Sequence, residues 1–209
     1  KLFSMVRATE AKGVWLIPSH PDLRLVHHNI EEWPSIQARF AEALHSAEVV
    51  PLPLKEGEKF DWIIIDTPPD MMSLYPRAAM AAAHYVIAPA IPGAYSNTGI
   101  RQLVATHKAM NALLGDEAHL QILGVVATRL QSTAAARAEI SDLQSRSIQD
   151  GLALFEATIP EDSSISQAQQ LTHLEAGRDG FFPFLRREKR AAAAYRKLVE
   201  EVQARVGDN

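Results

Sequence analysis

The chain of 209 residues contains no cysteine, only 10 glycines and 12 prolines, and no long apolar run. Without cysteine it can have no disulfide framework, no thiolate metal site and no cysteine nucleophile. The glycine and proline counts exclude collagen-like and low-complexity chains. No apolar run approaches the roughly 18 residues of a membrane span, so we expect no membrane partner. The lack of cysteine fits a reducing, cytoplasmic setting.

What is present is the composition of an ordinary globular protein, with 47% hydrophobic and 22% charged residues. The net charge of −4 does not predict binding to nucleic acid. Any such binding has to come from a local basic patch. Because the linkers are short and the composition does not shift along the chain, the sequence predicts a single domain over residues 1–209.

Short apolar runs rich in valine and isoleucine alternate with helical stretches. The runs that predict buried strands are Val14–Pro18, Trp62–Asp66, Tyr85–Pro89, Ile122–Thr128 and Leu154–Pro160. The stretches that predict helices are Pro34–Ala47, Leu74–Ala83, Thr98–Leu114, Ala134–Gln149 and Arg186–Val206. This alternation predicts βαβ units and an α/β fold, a mostly parallel sheet flanked by helices on both faces.

The segment FDWIIIDTPPD (residues 60–70) carries the strongest chemical signal. Its apolar run ends in Asp66, which would place a carboxylate at the carboxyl edge of a parallel sheet, where α/β proteins bind ligands. The alternative is an Asx-type turn after a strand, because aspartate caps many loops. The prolines Pro68 and Pro69 favour the ligand site, since they stiffen the loop and remove two backbone donors.

This segment resembles the second nucleotide motif of the ParA/MinD group of deviant Walker ATPases, typically YDxIIIDxPP. Further segments resemble family patterns in the same order: residues 13–22, 85–103, 122–129, 157–168 and 195–201. Each match is weak alone, and the ordered set over residues 13–206 is specific. The resemblance implies a P-loop NTPase-like, three-layer α/β/α fold.

The family's glycine-rich P-loop, with its signature lysine, has no counterpart in the sequence. The strand that ends in Asp-x-Asp-Pro-Gln in the family is also absent. Both elements would precede Lys1, and we expect them upstream, because backbone N–H groups and a lysine form the phosphate cradle. A relative without a P-loop is the alternative.

The resemblance implies site residues at the carboxyl edge of the sheet. Asp66 would position Mg²⁺ and act in catalysis, and Thr67 follows it in the second switch. Thr128 and Arg129 would lie beside the adenosine, and Pro160, Glu161 and Asp162 match the loop that contacts the base. Many relatives have Arg-Asn where this chain has Glu161 and Asp162. Ordinary loop capping is the alternative for Thr128, Arg129 and Asp162.

The last predicted helix combines an apolar stripe with a basic face. The stripe consists of Ala191, Tyr195, Leu198, Val202 and Val206. Arg186, Arg190 and Lys197 lie opposite at helical spacing, and basic residues in this region bind DNA nonspecifically in ParA-like proteins. A solvated charged face is the alternative. The tail lacks the bulky apolar face of a membrane-binding helix.

The resemblance thus implies an ATP- and Mg²⁺-dependent switch for plasmid or chromosome partitioning. ATP would promote a homodimer that binds DNA nonspecifically at the nucleoid, and a ParB-like partner would stimulate hydrolysis. A MinD-like or cargo-positioning ATPase that acts on protein or membrane partners is one alternative. A non-enzymatic interaction module without a P-loop is the other.

Overall fold

The structure is a computed structural model that describes residues 7–9, 13–18, 60–71, 73–93, 96–115, 120–162 and 189–207. The predicted helix Pro34–Ala47 lies outside these residues. The chain forms two compact units, and each is described by itself. The first consists of Lys1–His84 and Met110–Ala118, and the second of Tyr85–Ala109 and His119–Asn209.

In the first unit, strands β1 (Arg7–Ala8) and β2 (Trp15–Leu16) pair in antiparallel register. Helix α1 (Leu74–Ala82) follows the proline-containing segment. Seven of its nine residues are buried, and four of these are alanines. The N–H of Ser73 donates to the carbonyl of Asp70 at 3.1 Å, and this turn leads into the helix.

Two strand predictions in the first unit are wrong. The run Val14–Pro18 forms only the two-residue strand β2, and Leu16 is exposed. The run Trp62–Asp66 carries no strand, and the side chain of Ile64 is 90% exposed. A strand is stable only when a neighbour pairs with its N–H and C=O groups. None of the described residues pairs with residues 62–66, so β-branched composition alone does not make them a strand.

In the second unit, strands β3 (Tyr85–Ala90) and β4 (Gln121–Ala127) pair in parallel. Residues 153–161, which we call the edge segment, run parallel to β4 on its other side through bridges at Leu154 and Pro160. The N–H of Phe155 donates to the carbonyl of Val125 at 2.8 Å, and that of Ile159 to Ala127 at 2.9 Å. The predicted strand Leu154–Pro160 is thus an irregular parallel neighbour of β4.

Helices cover both faces of this parallel pair. Helices α2 (Ser96–Leu114) and α3 (Ala134–Gln149) supply Ile100 and Leu143 to a core with Val125 and Ala127 of β4. Helix α4 (Lys189–Gly207) packs on the other core, which contains Phe155 of the edge segment. The second unit therefore has the three-layer α/β/α arrangement, and the predicted fold class is confirmed.

A β-bulge in β4 sets which side chains face each core. Val86 pairs with Ile122 and Ile87 with Gly124, so Leu123 is an extra residue in the ladder. Gly124 has a φ of +148°, a conformation that favours glycine. Because the bulge shifts the alternation, Leu123 packs toward α4. After the bulge, Val125 packs toward α2 and α3.

The predicted helices are confirmed to within three residues at each described end. One position of the predicted apolar stripe is wrong, however. Tyr195 of α4 is 41% exposed, and Ala194 packs on the core in its place. The error moves one member of the stripe by one residue, an ambiguity inherent in a period of 3.6 residues.

Candidate functional site

Asp66 and Thr67 lie in the first unit, within a described segment without helix or strand that ends at residue 71. Both side chains are exposed. Carboxylate and hydroxyl oxygens suit Mg²⁺, which usually binds one or two carboxylates and completes its octahedron with water and phosphate oxygens. The carboxylate and hydroxyl oxygens at this position are therefore of the type that Mg²⁺ binds.

Four of the other predicted nucleotide-site residues meet at the carboxyl end of β4. We call residues 128–133 the β4 loop. The N–H of Thr128 donates to the carbonyl of Ala90 at 2.8 Å, which ties this loop to the end of β3. Leu130 pairs with Pro160, and the N–H of Glu161 donates to the carbonyl of Leu130 at 2.9 Å. The ends of three parallel segments thus converge, as expected of a ligand edge in an α/β sheet.

The side chains at this edge form a small polar cluster around Glu161. Its Oε1 lies 3.4 Å from Nη2 of Arg129, and its Oε2 accepts a hydrogen bond of 2.9 Å from Nε2 of Gln131. The bonds from Gln131 and then Arg129 hold the pKa of Glu161 below its usual value. Glu161 is therefore ionised at neutral pH, and its charge partly neutralises Arg129. Asp162 follows as a half-buried residue.

Two of the three predicted DNA-binding cations lie on α4, and each contacts another element of the second unit. Nη2 of Arg190 donates to Oγ of Ser132 in the β4 loop at 2.8 Å. Nζ of Lys197 lies 3.6 Å from a carboxylate oxygen of Glu156, and both side chains are exposed. Arg186 lies outside the described residues. The two cations therefore contact different residues. Of the two, Arg190 lies beside the candidate nucleotide edge.

A charged pair that the sequence analysis missed joins α4 to the edge segment. Glu201 and Arg205 are one helical turn apart, 2.7 Å between oxygen and nitrogen, with side chains only 18% and 23% exposed. The two carboxylate oxygens of Glu201 accept hydrogen bonds from the N–H groups of Glu156 and Ala157 at 3.0 and 2.9 Å. Arg205 donates to the carbonyls of Leu123 and Leu154. Its guanidinium also lies 3.8 Å above the ring of Phe155.

Sequence reasoning also missed Gln131 and Ser132. Both belong to the polar run that separates β4 from α3, and the run ends at Thr133, whose hydroxyl accepts from the N–H of Ala136 at 3.1 Å. Polar residues between a strand and a helix N-cap are common in any loop. Their identity alone gave no sign that they hold Glu161 and Arg190. For the pair Glu201 and Arg205 a signal existed, because their i,i+4 spacing is that of a helical ion pair.

The described part of the chain includes no group of three or more histidine, aspartate or glutamate side chains that could hold a metal ion. It also includes no helix that is both long and apolar enough to cross a bilayer.

Comparison with known proteins gives two matches. The model of a family described as "AAA domain" matches residues 1–122. The chain is also 27% identical over 201 residues to a protein of Thermus thermophilus named "Chromosome-partitioning ATPase Soj". That alignment covers 93% of this chain and 76% of the relative.

Proposed function

Because the chain belongs to the AAA-domain family of ParA/MinD-type ATPases, we propose that it acts as an ATP-dependent switch in DNA partitioning. The similarity over 93% of the chain to a chromosome-partitioning ATPase carries this proposal. The polar cluster at the carboxyl edge of the parallel strands supports it, since that edge is where α/β proteins bind nucleotides.

In this proposal the predicted residues of the two units have different tasks. Asp66, with Thr67 beside it, would hold Mg²⁺, which neutralises charge on the β- and γ-phosphates when bound. Thr128, Arg129, Pro160, Glu161 and Asp162 would line the nucleotide at the edge of the second unit. ATP binding would favour a homodimer, and the dimer would bind DNA nonspecifically at the nucleoid. A ParB-like partner would then stimulate hydrolysis.

The first prediction concerns Asp66. Replacing it with alanine is expected to lower the Mg²⁺-dependent rate of ATP hydrolysis at least tenfold, because the metal loses its protein carboxylate while the phosphates keep their other ligands. The measurement is kcat at saturating ATP and Mg²⁺, with the circular dichroism spectrum as a check of folding.

Asp61→Ala is the matched control, since it removes an exposed carboxylate from the same segment five residues earlier. It should leave kcat within twofold of the parent. Equal rates for Asp66→Ala and the parent would remove Asp66 from the metal site.

The second prediction concerns the basic residues of α4. Both described cations have exposed partners in the protein, and such contacts are weak enough for a DNA phosphate to displace. Six cations in a dimer would release counterions from about six phosphates, so log K for duplex DNA should fall with log salt at a slope near −5. The triple variant Arg186→Ala, Arg190→Ala, Lys197→Ala should lose DNA retention with ATP and Mg²⁺ present.

Arg146→Ala serves as the control for general loss of positive charge. Arg146 lies on α3 in an exposed pair with Asp142, at 2.8 Å. This variant should bind DNA like the parent. If the triple variant keeps the parent's affinity and salt slope, the α4 face is a solvated surface and the DNA contact must be sought elsewhere, first around Arg101 and Lys108.

A cargo-positioning ATPase that acts on protein is the second candidate, and one observation favours it. The exposed surface of α4 is mixed rather than basic, because Tyr195 and Val199 are exposed between charged residues. Tyrosine is enriched on protein-binding surfaces relative to the rest of the surface. Absence of ATP-dependent DNA retention at low salt, with ATP hydrolysis intact, would favour this candidate.

A further inference from the structure

Arg190, near the start of α4, reaches the β4 loop through one hydrogen bond. Its Nη2 donates to Oγ of Ser132 at 2.8 Å, and both side chains are exposed. The distance lies in the short half of the normal range for an N–H···O bond. Among the residues that the structure describes, Ser132 is the one side-chain partner of Arg190. The direction of this cation is therefore set by a single hydroxyl group.

The hydroxyl of Ser132 belongs to a backbone that is bonded on both sides. Before it, the N–H of Leu130 donates to the carbonyl of Ile159 at 3.1 Å. After it, the hydroxyl of Thr133 accepts from the N–H of Ala136 at 3.1 Å and caps α3. Because both neighbours are held by other elements, Ser132 presents its oxygen at a fixed place.

The backbone of Arg190 is held in a similar way. Ala191 and Ala192, which follow it in α4, are 0% and 6% exposed, so the helix is packed at the point where the arginine leaves it. Since both ends of the contact are anchored, the bond restricts a long side chain that would otherwise sample many rotamers. A side chain that is ordered before binding loses less entropy when it binds, and this raises the affinity for its partner.

The bond to Ser132 leaves the charge of Arg190 available. A serine hydroxyl is neutral, whereas Lys197, the other described cation of the pair, lies 3.6 Å from a carboxylate oxygen of Glu156. A guanidinium carries several N–H donors in a planar fork. One of them bonds Ser132, and the others remain for a phosphate. A phosphate could displace so exposed a bond, but it can also bind Arg190 while Ser132 stays in contact.

We propose that Ser132 is a positioning residue for DNA binding, whose hydroxyl holds the guanidinium of Arg190 in one orientation, ready for a backbone phosphate. This inference rests on the proposed function, because it takes duplex DNA to be the partner of α4. Ser132 lies in the loop that also contains Thr128 and Arg129 of the candidate nucleotide edge. The same bond therefore connects that edge with the basic residues of α4.

The test measures the dissociation constant for a mixed-sequence DNA duplex by fluorescence anisotropy, at low salt with ATP and Mg²⁺ present. Ser132→Ala should raise this constant about fivefold, because a dimer loses two exposed hydrogen bonds that each contribute at the low end of the usual range. Ser132→Thr keeps the hydroxyl and should bind like the parent. Arg190→Ala should weaken binding further, and adding Ser132→Ala to it should change nothing more.

Ser145→Ala is the matched control, because it removes another exposed serine hydroxyl of the same unit, one that donates to the carbonyl of Ser141 at 2.9 Å. This variant should bind DNA like the parent. The circular dichroism spectrum of each variant checks that it is folded, so that a loss of affinity reports on the contact with DNA.

Four results would overturn the inference while the parent binds DNA. They are parental affinity in Ser132→Ala, a further loss when Ser132→Ala is added to Arg190→Ala, equal weakness of Ser132→Thr and Ser132→Ala, and the same loss in Ser145→Ala. A parent that does not hold DNA at low salt contradicts the proposed function itself, and this inference with it.

Discussion

Replacing Gly124 with alanine is expected to lower the free energy of unfolding by about 3–5 kcal/mol. Gly124 forms the bulge of β4 with a φ of +148°, which alanine adopts only with strain. A Cβ atom there would lie 2.5 Å from the carbonyl oxygen of Ala153. That oxygen accepts the N–H of Val125 at 2.8 Å, so it cannot retreat without opening the pairing of β4 with the edge segment.

Urea denaturation of the parent and of Gly124→Ala measures this difference. Gly93→Ala is the matched control, since Gly93 has a nearly equal φ of +143° but no atom within 4 Å of the position that a Cβ atom would take. It should cost only the conformational strain, about 1–2 kcal/mol. If both variants lose the same stability, backbone strain explains the whole effect and the contact with Ala153 contributes nothing.

Replacing Glu201 with glutamine is expected to cost about 2–4 kcal/mol of unfolding free energy. The carboxylate accepts from two backbone N–H groups and from Arg205 in a mostly buried position. Glutamine offers one acceptor oxygen, and its NH₂ group would face a donor. One N–H then stays unsatisfied, and Arg205 loses its counter-charge.

Asp142→Asn is the matched control for Glu201→Gln. Asp142 and Arg146 have the same i,i+4 spacing at 2.8 Å, but both side chains are about half exposed. Exposed helical pairs contribute only about 0.3–0.5 kcal/mol. In thermal or urea unfolding, Glu201→Gln should therefore lose several times more unfolding free energy than Asp142→Asn. Equally small losses of unfolding free energy would show that burial does not strengthen the pair of Glu201 and Arg205.

The contribution of Glu201 should also depend on pH in a definite direction. Burial raises its pKa, but the bonds from Ala157, Glu156 and Arg205 outweigh this and hold the pKa below that of a free glutamate. Because the pKa of Glu201 is lower in the folded state, its ionised form stabilises the fold fully at pH values above the pKa of the unfolded state, about 4.3. This contribution disappears as the pH falls through the pKa of the folded state. The stability gap between parent and Glu201→Gln should therefore be constant near neutral pH and shrink below about pH 4.

The sequence predicted the second unit well because its signals are local. Helices α2, α3 and α4 have apolar residues at helical spacing, and β3 and β4 are short runs that their helices cover on both faces. The run 62–66 has the same β-branched character and forms no strand among the described residues. Pairing partners decide that outcome, and hydropathy carries no information about them.

The same limit applies to the site. The family resemblance, together with the carboxyl-edge rule for parallel sheets, predicts Thr128 and Arg129 as site residues. The hydrogen bonds of Gln131 with Glu161 and of Ser132 with Arg190 join residues 30 and 58 positions apart. Such contacts depend on how α4 and the edge segment pack, so spacing along the chain could not reveal them.

The bonds of Glu201 and Arg205 have a consequence for association between molecules. Phe155 uses its N–H toward β4, so the carbonyl of Leu154 and the N–H of Glu156 face away from that strand. These outward groups are the ones through which an added strand would pair, and exposed groups of this kind promote edge-to-edge aggregation. Arg205 occupies the acceptor and Glu201 the donor. The helical ion pair thus substitutes for a strand and blocks this edge against another chain.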